Sequence, residues 1–172
     1  QSPGSGALSL PNGWVRRSAA SSGELKYVIT ASDGQYIGGA TMSLVGSARS
    51  SGEMAMTARG NRRSLGGVPF TELRRTVIDK MLASNGWVVN DLQRDVNGQP
   101  VFIVLAQTAA SSDGRTPQLS WAFYFTQVEG RIYSLAVSSL NEFSERIADD
   151  SAQLIATFVA NSRRTAAETS QR

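Results

Sequence analysis

Apolar and aromatic residues fill nearly every position of 101–106, 119–126 and 132–137. A strand patterned in this way has both faces covered rather than one face wetted. Three such runs in succession predict antiparallel strands at the middle of a sheet. Asn97 and Gly98 precede the first run, and Glu129 and Gly130 join the last two. Such pairs supply the positive φ of tight hairpins, so the pairing is local.

Helical spacing replaces this pattern in two places. After Pro69, the residues Phe70, Leu73, Val77, Ile78, Met81 and Leu82 fall on one helical face, with Glu72, Arg74, Arg75, Asp79 and Lys80 pointing outward. Asn85 and Gly86 close this helix as a left-handed cap. A second helix carries Phe143, Ile147, Leu154, Ile155 and Phe158, with Asn141 or Ser144 as its cap. Glu142, Glu145, Asp149 and Asp150 lie in its first half, where carboxylates suit the positive end of the helix dipole. That placement accounts for the acidic cluster without a metal. The chain turns polar at Asn161 and is expected to fray. The fold class is therefore α+β: a central antiparallel sheet flanked by helices, in two or three layers.

The flanking segments add outer strands. Residues 1–6 are a Ser/Gly/Pro tether, 7–162 a single domain and 163–172 a polar tail. The tether reads either as the start left after removal of a signal or lipid-anchor segment, or as a trimmed start. Residues 7–10 form a brief strand, stopped by Pro11, Asn12 and Gly13, which set Trp14 against the sheet. A large aromatic here is a core anchor, with a ligand platform as the alternative. Segments 26–31 and 35–45 form a hairpin around Ser32, Asp33 and Gly34. Gly38 and Gly39 mark a bulge or a close backbone approach, and a phosphate cradle is disfavoured because no helix follows. Residues 87–96 form a strand with Asp91, Gln93 and Asp95 on the wet face of an outer position. Two carboxylates four residues apart on a strand are too distant to share a proton.

Composition narrows the chemistry more than the pattern does. The 172 residues include no cysteine and no histidine. Thiol chemistry and thiolate metal sites are excluded, and the usual general base and commonest transition-metal ligand are missing. A serine nucleophile would need a lysine base, and the two lysines, Lys26 and Lys80, fall on a strand and on an outward helix face. Tyr27, Tyr36, Tyr124 and Tyr133 are read as sheet-margin residues. The expectation is a protein that is not an enzyme and carries no cofactor or metal.

The net charge of +3 resides in one segment, 46–68, where Arg49, Arg59, Arg62 and Arg63 face only Glu53. One helical turn is expected at 53–58, and the remainder reads as a mobile cationic loop. Arginine forks suit phosphate or carboxylate, so these four residues are the candidate binding set for an anionic surface, either a membrane headgroup or an acidic protein face. A merely solvated loop is the alternative. Interleaved aromatics are lacking, which argues against a specific nucleic-acid surface. No apolar stretch is long enough to span a bilayer.

The order of elements resembles the PsbP/DcrB-like superfamily, which also includes a Ran-binding nuclear transport factor. The similarity lies in Leu10-Pro11-Asn12-Gly13-Trp14, the helix at 70–85 followed by a strand ending at Asn97 and Gly98, the aromatic strands about Glu129 and Gly130 with Tyr133, and the closing Ala156-Thr157-Phe158. It implies a PsbP-like α/β/α sandwich with a central antiparallel sheet and no shared catalytic set, used by binding or assembly factors, among them bacterial envelope lipoproteins and chaperones of secreted effectors. The metal-binding histidines of some photosynthetic relatives have no counterpart here. The resulting expectation is an exported, periplasmic or envelope-associated domain, with a lipid tether upstream of residue 1 as one reading. It contacts another protein through the sheet margin and the 46–68 loop. A carrier of a small apolar ligand and a chaperone-like adaptor are the rival readings. An arginine-rich, lysine-poor chain fits a bacterial envelope protein better than a plastid one.

Overall fold

A computed structural model describes residues 9–17, 23–49 and 63–171. Seven strands form one antiparallel sheet: β1 (Trp14–Arg17), β2 (Glu24–Thr30), β3 (Tyr36–Ser47), β6 (Gly86–Val96), β7 (Gln99–Thr108), β8 (Leu119–Val128) and β9 (Arg131–Leu140). Their order across the sheet is β1-β2-β3-β9-β8-β7-β6. The three apolar runs become β7, β8 and β9, which lie side by side in the interior. Asn97 and Gly98, like Glu129 and Gly130, adopt positive φ at the two hairpins flanking them.

Alternate residues of β7 feed two cores. Phe102, Val104 and Ala106 pack with Leu73, Val77 and Met81 of helix α1 (Phe70–Ala83). Val101 and Ile103 pack with Ile147, Leu154, Ile155 and Val159 of helix α2 (Ser144–Ser170). The helices therefore cover opposite faces, and the central strands are apolar on both sides because each side has a helix to meet.

Trp14 is 4% exposed and anchors the α2 core, where its indole Nε1 donates to Asp150 Oδ2 at 3.1 Å. Gly38 marks a close approach: a Cβ there would overlap the Ser138 carbonyl oxygen across the β3–β9 pair.

Four local expectations change. Ser9 and Leu10 carry no strand, and residues 7 and 8 lie outside the described set. Ile78 and Leu82 face outward because α1 buries only the narrower stripe of Leu73, Val77 and Met81. Neither Asn141 nor Ser144 caps α2 through its side chain; a 3-10 turn at Asn141–Phe143 leads into the helix instead. That helix continues to Ser170, well past Asn161, with side chain to carbonyl bonds such as Ser162 to Phe158 and Thr165 to Asn161 accompanying its polar half.

Candidate functional site

The cationic segment does not run as loop throughout. Ser64–Leu65 (β4) and Val68–Pro69 (β5) pair as a miniature hairpin, turned by Gly66 and Gly67 at φ of 57° and 79°. Leu65 and Val68 insert into the α1 core. Two apolar side chains set among glycine and arginine thus moor the end of the segment beside the sheet.

The candidate arginines separate. Arg49 forks onto Glu72 with Nη2 at 2.8 and 3.0 Å from its two carboxylate oxygens, and the Arg49 N–H donates to the Gly66 carbonyl at 2.7 Å. It ties the end of β3 to α1 and to the small hairpin, and its charge is matched. Arg63 is exposed, and among the described residues it has no ion pair. Arg59 and Arg62, with the helical turn expected at 53–58, lie outside the described residues.

Arg63 stands over a cleft of about 440 Å3 that runs between the start of α1 and the edge strand β6. Phe70 and Phe102 floor the cleft with rings stacked 4.2 Å apart and 3° from parallel. Arg74 reaches across from α1 to Asp91 of β6 at 2.8 Å, and Thr71 and Gln93 complete the polar rim. At Gln93 this cleft meets a second depression of about 510 Å3 bounded by β4, Pro100 and Gln127. Arg63 and the edge strand thus border one continuous margin. The Arg74 to Asp91 pair is solvent-accessible at both ends and fixes geometry more than it adds stability.

The sequence placed Asp91 and Gln93 on an outer strand, and β6 is the last strand of the sheet. It did not reveal Phe70 stacked on Phe102, because that contact joins a helix start to a strand 32 residues away. Lys26 lies on β2 with Glu24 4.0 Å away. Lys80 sits 5.4 Å over the Phe123 ring. Tyr27 and Tyr124 are buried in the α2 core, where burial pushes both phenols above the ordinary tyrosine range, opposed by Arg16 at Tyr27 and by Ser151 and then Arg94 at Tyr124. Tyr36, by contrast, is exposed. Among the described residues no cluster of three or more carboxylates is close enough to hold a metal. Nor is any helix there long and apolar enough to cross a membrane.

No family model matches the chain, and no curated protein matches it. Among solved structures it is similar to a variant of the protein Mog1, with 11% identity and a TM-score of 0.44 over 85% of this chain and 80% of that one.

Proposed function

We propose that this chain is a non-enzymatic protein-binding or assembly domain of the PsbP/DcrB-like kind, exported or associated with the cell envelope. It takes its partner along the β6 margin and the basic 46–68 segment. The observation that carries this reading is the edge itself. β6 is 11 residues long and, among the described residues, pairs only with β7, so one row of its backbone N–H and C=O groups has no strand partner there. An open edge of that length is a template for an incoming strand, main-chain bonds giving affinity and flanking pockets giving selectivity. Here the flanking pocket is lined by the Phe70 and Phe102 rings and by Arg63. Both suit an extended partner segment that carries a carboxylate next to an apolar residue.

Deleting 59–67 would remove Leu65 from the core, so charge reversal is the cleaner test. Arg63→Glu, alone and with Arg59→Glu and Arg62→Glu, should reduce recovery of the partner from host extracts at least tenfold and leave the thermal midpoint unchanged. Undiminished recovery from the triple variant would refute the interface. Host fractionation should place the protein with the envelope; recovery in the cytosol would refute the localisation.

A further inference from the structure

On the opposite face of the same edge strand, a gap opens between α2 and the β6 end of the sheet. Ala148 and Ala152 present only methyl groups where α2 passes Leu92 and Val96 of β6 and Leu105 of β7, with Tyr124 of β8 also lining the space. The cavity is about 180 Å3, and its lining is mostly apolar. An apolar cavity of about 150 Å3 stays dry and accepts benzene, so this one has room for an apolar body of about six to eight carbons.

The mouth is not apolar. Arg94 lines it, is exposed, and among the described residues has no ion pair. Arg94 and, on α2, Asp149 both lie near the Tyr124 hydroxyl. The Ser151 hydroxyl adjoins Tyr124 and donates to the Ile147 carbonyl at 2.6 Å. A greasy chamber with a guanidinium at its entrance suits an amphiphile with one negative end, since a carboxylate can accept from Arg94 while its tail leaves water.

We infer that the cavity between α2 and β6 binds a small monocarboxylic acid, its hydrocarbon body against Ala148, Ala152 and Leu105 and its carboxylate at Arg94. The site lies across the sheet from the Phe70 and Phe102 cleft and goes beyond the partner-binding reading. Either can fail without the other.

Sodium octanoate is the probe, 1-octanol its uncharged counterpart and sodium acetate the head group alone. Calorimetry on the full chain should give octanoate binding at submillimolar concentration and none for acetate. Methyl NMR of the unaltered protein should show octanoate shifting Val96, Leu105 and Ile155 ahead of Leu73 and Val77 under α1. Arg94→Gln should weaken octanoate about tenfold or more and leave octanol unchanged. Ala152→Phe, which fills the chamber, should abolish both; if that variant does not fold, the methyl map of the unaltered protein decides. Absence of octanoate binding at millimolar concentration, shifts confined to the α1 face, or equal loss of octanoate and octanol in Arg94→Gln would each overturn the assignment.

Discussion

Thr126 is 4% exposed, and its hydroxyl has no hydrogen-bond partner among the described residues. A buried hydroxyl without a partner costs about 1–3 kcal/mol, and valine fills nearly the same shape without that cost. Thr126→Val should therefore raise stability by about 1 kcal/mol, seen as a thermal midpoint about 2–4 °C higher; a lower midpoint would contradict this. At the tip of the β7–β8 connection, the Ser111 hydroxyl donates to Asp113 Oδ1 at 2.6 Å and the Arg115 N–H donates at 3.1 Å. These bonds, the Ser111 one first, hold the Asp113 carboxyl below its ordinary range. A carboxyl lowered in the folded state adds stability above its unfolded value and loses it as pH falls through the folded one, so this turn loosens in acid. In an NMR titration Asp113 should have a low midpoint that rises in Ser111→Ala, whereas a midpoint unmoved by that change would contradict the assignment. Trp14, flanked by a turn and placed before a strand, announced its burial in the sequence. The Asp150 carboxylate that accepts from its indole is 136 residues away and did not.

At the scale of elements, the strands were legible because two-sided burial leaves a continuous apolar run and the hairpins carry residues suited to positive φ. The 46–68 segment is less legible. Leu65 and Val68 have too few apolar neighbours in sequence to form a period, so nothing local distinguishes their hairpin from loop. Helix α1 erred in the other direction: Ile78 and Leu82 fit an apolar stripe in sequence, yet the sheet reaches only Leu73, Val77 and Met81. Equilibrium urea unfolding separates the two cases. Leu65→Ala should cost about 2–4 kcal/mol as a cavity in the α1 core. Leu82→Ala, at an exposed position, should change stability by less than about 0.5 kcal/mol. A neutral Leu65→Ala would mean that the small hairpin is not moored to the sheet.

For the whole molecule, a central sheet with helices on it could be read from pattern alone, whereas its candidate sites could not. The α2 cavity depends on atoms that are missing, since Ala148 and Ala152 look like ordinary helix residues until β6 is placed opposite them. The β6 margin needs the strand order, which a sequence does not print. Nor was Arg49's engagement with Glu72 visible, and of the two candidate arginines among the described residues it leaves Arg63 as the one without an ion pair. The account's central claim is that β6, rather than the β1 edge, receives a partner. Site-specific photocrosslinking in the host tests it most directly, with a photoreactive residue placed in turn at Gln93 on β6 and at Val15 on β1. Adducts from Gln93 that disappear with Arg63→Glu, and none from Val15, are the predicted result. Adducts from Val15 with none from Gln93 would contradict it.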